Sequence, residues 1–474
     1  MKSPLLRSLS VALALTPLLA SRATAHAPPE VLQVISSTPE DIVLSTNRGF
    51  IFGNRTTNAW SLLCNEAFGV STSSQYQSAM LESGRILVAE HGGLRFSDDR
   101  GCTWERNGEL GKLSTPALAQ HPETRDRLYL TVYGFDGSDM VTGMGGVRRS
   151  DDGGETFRSV YKAPEGEFLN SLLVSSGEPG HVYASVTSFG LSGSEYLVIH
   201  STDGGKTWQR NRVESDVKKE MDVTLLAINP ENPQEILARA TGSEPALGER
   251  LLWSSDGGRT FRSPGTWAVL RSAAFSRDGR TAYVSYREGL LRATTAARTF
   301  EKVGISSRIS SVVTSDSTLM VSGYYAGEAS PLDGLATAPM SDPETKFETY
   351  MNFTQVDTHA SCPAPSTAEQ DCDTLWRDWV REFGLDQPGG GQTPDGGVSV
   401  PVDGDDDIVS NDDVVTRDAG RRDGGTSSSG DDDAPAAKSS GCALSAGGHP
   451  DASTWLPLSL LALAWRRRHR RASR

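Results

Sequence analysis

The most regularly placed carboxylates in this 474-residue chain are Asp99, Asp152, Asp203 and Asp256. Each lies in one eight-residue pattern, Ser-x-Asp-x-Gly-x-Thr-aromatic. The four copies supply Ser97, Asp99, Gly101, Thr103 and Trp104; Ser150, Asp152, Gly154, Thr156 and Phe157; Ser201, Asp203, Gly205, Thr207 and Trp208; and Ser254, Asp256, Gly258, Thr260 and Phe261. A carboxylate can move protons, bind a metal or fix a turn. This spacing points to the turn: Asp accepts from nearby backbone N–H groups, and Gly supplies the positive φ. Thr then starts a strand, and the aromatic ring packs between sheets. The eight histidines form no H-x-x-x-H spacing, and neither a G-x-S-x-G elbow nor a phosphate loop occurs. No metal site, cofactor or catalytic residue is assigned. A glycosidase needs two carboxyls about 5–9.5 Å apart, a pairing that no linear motif displays.

The elements that carry these turns repeat. Final aromatics of the four copies are 53, 51 and 53 residues apart. Degenerate copies extend the series at Gly53–Trp60, Ala293–Phe300 and Met340–Phe347, giving a mean step of about 48 residues. Short β-prone runs such as GRILVAEH and QEILARAT flank the turns, and four strands need about that length. The motif resembles the Asp box, or BNR repeat, of sialidase-like and sortilin-like β-propellers. The expected fold is all-β, a seven-bladed propeller over residues 28–358, or six blades if the first or last degenerate unit is not one.

The resemblance implies that the boxes are structural, at the periphery between the third and fourth strands of each blade. Propeller ligands then belong on the opposite face, which gives Glu90, His91, Tyr133, Asp136, Tyr286, Arg287, Glu288, Tyr324 and Tyr325 as binding candidates. Sialidases add an Arg-Ile-Pro signature; here Arg-Ile is followed by Leu87 or Ser310 instead. The chain is therefore expected not to be an enzyme. It reads as a monomeric binding or scaffold module for extracellular polysaccharide, peptide or surface protein. A carbohydrate-active hydrolase and a purely architectural envelope protein are the alternatives.

Both ends read as addresses. Lys2 and Arg7, the apolar run 11–20 and Ala23-Thr24-Ala25 make residues 1–25 a secretory signal, with cleavage between Ala25 and His26. At the other end Gly441-Cys442 precedes an apolar segment at 455–465 and an Arg cluster at 466–471. Eleven residues of helix span only about 16 Å, short of the hydrocarbon core. Residues 442–474 resemble the MYXO-CTERM sorting signal of myxobacteria. That resemblance implies export and sorting machinery as partners, lipid modification at Cys442, and a place on the outer-membrane surface of a Gram-negative cell or release from it.

Residues 388–441, rich in Gly, Ser and Asp, form an expected disordered linker whose Asp runs can attract calcium only weakly. Acidic residues number 60 against 46 Lys and Arg, a net charge of −14, which disfavours nucleic acid as a partner. The two terminal segments carry +3 and +5, so residues 26–441 carry −22. Five cysteines in an exported chain leave four once Cys442 is set aside. The expected bridges are Cys362–Cys372, stapling a cap at 359–387, and Cys64–Cys102, joining the first two blades. Trp376, Trp379, Val380 and Phe383 are spaced as one face of a short helix in that cap.

Overall fold

The computed structural model describes residues 27–385 apart from 71–75, 112, 137–138, 191–192, 216–221, 242–247, 305–307, 316, 324–332, 342–346 and 364–365. The signal segment, linker, sorting tail, Ala25-His26 cleavage site, Cys442, Tyr324 and Tyr325 lie outside the described residues.

Seven sheets follow one another along the chain, each built on four consecutive antiparallel strands, with Glu214–Ser215 adding a parallel fifth in the fifth sheet. Their innermost strands are Val31–Ser37, Tyr76–Met80, Ser114–Gln120, Glu167–Val174, Asp222–Ile228, Leu270–Phe275 and Ile309–Thr314, which we number blades 1 to 7. The ring closes between blades 7 and 1, where the Ser310 and Ser322 hydroxyls donate to the Val31 carbonyl at 3.0 and 2.9 Å. Seven blades are thus present, and the degenerate first and last units are both real. All four antiparallel strands of blade 1 come from the N-terminal segment; a fifth, Thr358–His359, joins its outer strand in parallel.

Apolar residues alternate through the middle strands of each sheet and pack blade against blade. Tyr129 and Tyr183, both fully buried on second strands, send their hydroxyls to the carbonyls of Gly204 and Pro233 in the following blade. The boxes behave as their residue types require. In the third copy Ser201 Oγ donates to Asp203 Oδ1 at 2.9 Å, and Asp203 accepts from the Thr207 N–H and hydroxyl at 2.9 and 2.7 Å. Hydrogen bonds from Thr207 hold the Asp203 carboxyl down to about 2. Gly258 has φ +81°, and a Cβ there would come within 2.8 Å of Val198 in the preceding blade, so the turn admits only Gly. In the degenerate first unit Asn54 Oδ1 takes over, accepting from the N–H groups of Thr56 and Thr57.

The cap departs from expectation. The disulfides are Cys64–Cys372 and Cys102–Cys362, each with Cα atoms 5.4 Å apart, and not Cys64–Cys102 and Cys362–Cys372. Parallel pairing of Thr358–His359 on blade 1 carries Cys362 to the second box, and the helix Thr367–Glu382 lays Cys372 beside Cys64. Both bridges therefore bind the cap to the propeller. The helix face is as expected: Trp379 is fully buried, with its indole N–H donating to the Val356 carbonyl at 3.1 Å. Arg48 of blade 1, only 1% exposed, pairs with Glu382 at 2.7 Å.

Two measurements follow from this packing. Non-reducing peptide mapping should recover the 64–372 and 102–362 cross-links. Because they span 308 and 260 residues, reduction should lower unfolding free energy by about 2–5 kcal/mol per bridge. The second concerns His200, whose ring stacks on Tyr183 at 3.9 Å and meets His181 at 3.0 Å. Burial, then the His181 and Arg259 charges, push its pKa down to about 4. The unfolded imidazole takes a proton near 6.5 and the folded one does not, so stability is full above about 6.5 and falls as pH drops toward 4. His200→Gln should flatten that acid limb in denaturant titrations.

Candidate functional site

Innermost strands all start on the face opposite the boxes, and the second-to-third-strand hairpins turn back there too. Five of the sequence candidates lie at these turns. Glu90 is half-buried and 3.9 Å from Arg95, while exposed His91 meets Ser114 Oγ at 2.9 Å. Arg287 and Glu288 are exposed on the blade 6 turn. Asp136 pairs with Asp139 through its backbone at the blade 3 hairpin; its side chain lies outside the described set. Tyr133 and Tyr286 are core residues rather than open loop positions. The Tyr133 hydroxyl donates to the Leu169 carbonyl at 2.6 Å, and Tyr286 is 4% exposed beneath Lys302. Tyr133 lies within the strand Leu128–Asp136 and Tyr286 closes the strand Thr281–Tyr286, and both rings are buried between blades.

The same face holds a charged cluster in blade 5 that motif reading did not find. Asp222 opens the innermost strand and stands opposite Thr241, at the end of the second; Glu249 opens the third. Strands about 4.8 Å apart put the backbones of Asp222 and Glu249 about 10 Å apart. Asp222 Oδ1 accepts from Asn170 Nδ2 at 2.8 Å and Thr187 Oγ1 at 3.0 Å, both in blade 4. Glu249 Oε2 accepts from the Leu270 N–H of blade 6 at 2.6 Å. Between them Arg239, fully buried, donates from Nη1 to the Leu270 carbonyl at 2.6 Å and lies 3.7 Å from Glu249. Its Nε and Nη2 have no hydrogen-bond partner among the described residues.

Burial raises the pKa of Asp222, which Thr187 and Arg239 pull back, and of Glu249, which Arg239 and the Leu270 N–H pull back. Burial lowers that of Arg239. The two carboxyls thus stand in unlike surroundings. Asp222 is hydrogen-bonded by neutral side chains and feels Arg239 only through its charge, whereas Glu249 lies 3.7 Å from Arg239 and accepts a backbone N–H. Beside them Arg271 of blade 6 bonds Glu30 of blade 1 at 2.9 Å, spanning two blades that are not neighbours in the ring. Val269, a β-branched residue at φ +52°, aims Leu270 at this cluster, and its carbonyl accepts from the Arg287 N–H at 3.1 Å. One sequence signal was available: Arg239 interrupts the apolar strand Ile236–Thr241, where a charge needs a buried partner.

Seven sheets in a ring, with Asp-box turns in four of them on one face and this cluster on the other, define a seven-bladed β-propeller. A BNR repeat-like domain model matches residues 86–289. No curated protein matches the chain. Among solved structures it is similar to an ancestral GH74 enzyme, at 16% identity over 59% of this chain and 39% of that one, with a TM-score of 0.45. It is also similar to the GH74 enzyme of Niastella koreensis (16%, 70% of this chain and 47% of that one, TM-score 0.38). A third is the GH74 xyloglucanase from Xanthomonas campestris (13%, 66% and 69%, TM-score 0.30). The chain spans less than half the length of the first two. The expectation that the chain is not an enzyme is corrected here, since the solved structures it is similar to include GH74 enzymes.

Strain at Val269 is open to measurement. Val269→Gly removes the Cβ conflict of the left-handed conformation and should stabilise the chain by about 1 kcal/mol, read as a higher denaturant midpoint.

Proposed function

We propose that this chain is an exported, surface-attached propeller that binds an extracellular polysaccharide opposite its Asp-box turns and hydrolyses a glycosidic bond there. The observation that carries the reading is the Asp222–Glu249 pair. Both carboxyls stand on one sheet at that face, and burial raises the pKa of each. Glycoside hydrolysis needs one carboxyl that keeps its proton and one that loses it. Asp222, held by Asn170 and Thr187, suits the general acid that protonates the leaving oxygen. Glu249, beside Arg239 and the Leu270 N–H, suits the base or nucleophile. Arg239 stabilises the charged form of Glu249 and holds the Leu270 carbonyl. Export and attachment at Cys442 are supported by the two terminal signals, and the linker at 388–441 would hold the propeller away from the surface.

The test is release of reducing ends from a polysaccharide panel that includes β-glucans and xyloglucan, with chromogenic glycosides and sialosides alongside. Asp222→Asn and Glu249→Gln should each cut turnover at least about 100-fold while leaving the circular dichroism unchanged. The general acid works only when protonated, so the wild-type rate should fall as pH rises through its pKa, and Asp222→Asn should abolish that limb. Full activity in both variants would sink the assignment.

A further inference from the structure

Beside Asp222 lies an aromatic group that the hydrolytic reading leaves unused. Phe168 is the second residue of the blade 4 innermost strand, and Phe189 is the next-to-last residue of its second strand. Both are half-buried, at the end of the sheet away from the boxes. Their ring centroids are 5.3 Å apart and their planes meet at 81°, making a corner rather than a flat stack. Tyr133 of blade 3 backs the corner, 5.6 Å from Phe168, and its own hydroxyl is committed to the Leu169 carbonyl at 2.6 Å. A fixed ring behind two partly open ones gives an apolar surface that needs little ordering when something covers it.

What surrounds the corner defines its occupant. Thr187 is the cross-strand partner of Phe168, and Asn170 lies two residues along from Phe168. Both donate to Asp222 Oδ1, and Asn170 Nδ2 also donates to Thr187 Oγ1 at 2.7 Å. Rigid aromatic faces next to an amide, a hydroxyl and a carboxyl match a molecule with C–H faces and a hydroxyl rim, which is a pyranose ring. Charge selects among sugars. With −22 on residues 26–441, anionic glycans are repelled at long range.

We propose that Phe168 and Phe189, backed by Tyr133, form a sugar subsite that seats one residue of a neutral polysaccharide next to Asp222, an inference that rests on the polysaccharide reading. The subsite sits on the blade 4 side of the carboxyl pair. It therefore holds a sugar next to the one being cleaved and favours polymers over single glycosides.

Binding is measured on the full chain carrying Glu249→Gln, by affinity electrophoresis through gels of a neutral β-glucan, xyloglucan or, as an anionic control, polygalacturonate. Retardation by a neutral polymer and none by the anionic one is expected. Phe189→Ala should weaken it about tenfold and the double variant Phe168→Ala/Phe189→Ala further, with Phe189→Trp restoring it. Since Phe168→Ala alone can perturb folding, Phe189→Ala with an unchanged melting temperature is the deciding variant. Retardation that persists undiminished in Phe189→Ala overturns the subsite while leaving the hydrolytic pair standing. Tighter binding of the anionic polymer overturns it as well. No retardation by any polymer removes the subsite and the polysaccharide reading together.

Discussion

Closure of the ring is the constraint on which the rest depends. Seven sheets are buried face to face, yet among the described residues no backbone ladder crosses the seam between blades 7 and 1. Side chains do the joining there, with the Ser310 and Ser322 hydroxyls converging on one carbonyl of Val31. Other blade boundaries combine apolar packing with long-range hydrogen bonds such as Tyr129 to Gly204 and Tyr183 to Pro233, and between blades 4 and 5 the short strand Glu214–Ser215 also pairs in parallel with Thr260–Phe261. Directional bonds inside each sheet fix its shape, and the contacts between sheets fix the angle that lets the seventh meet the first.

The face proposed to bind substrate is a by-product of that arrangement. Because all innermost strands start on one side, residues at their first positions gather there from distant parts of the chain. Glu30 and Arg271 meet although 241 positions separate them. Asp222, Arg239 and Glu249 come from three successive strands of a single blade. Their perturbed protonation follows from position alone, since neighbouring blades 4 and 6 cover them and supply their donors.

The legible and the hidden parts of this molecule divide along the same line. Asp-box turns are readable because the hydrogen bonds of their Ser and Asp side chains lie within a few residues, so eight letters carry the turn. Blade number followed from their spacing, including units as eroded as Gly53–Trp60, where Asn54 does the work of the missing Asp. Disulfide partners were misassigned because nearness along the chain stood in for nearness in space. The strand Thr358–His359 brings Cys362 to Cys102, and the helix Thr367–Glu382 brings Cys372 to Cys64. Tyr133 and Tyr286 stand beside loops in the sequence, but both belong to strands and both rings are buried. The carboxyl pair leaves no linear trace beyond Arg239, an isolated charge in an apolar strand.

The two bridges to the cap also set where mechanical load enters the molecule. Tension applied to the chain beyond residue 385 reaches the propeller first through the helix Thr367–Glu382, and Cys372 passes it to Cys64 at the rim of blade 1. What lies further back along the chain is shielded by a second covalent stop, Cys362 to Cys102. Blade 7, the last to be laid down and bound to blade 1 only by side chains, is thereby kept off the path of force. A pull that would otherwise peel the ring open at its seam is carried by two sulfur–sulfur bonds into the two blades at the other end of the sequence.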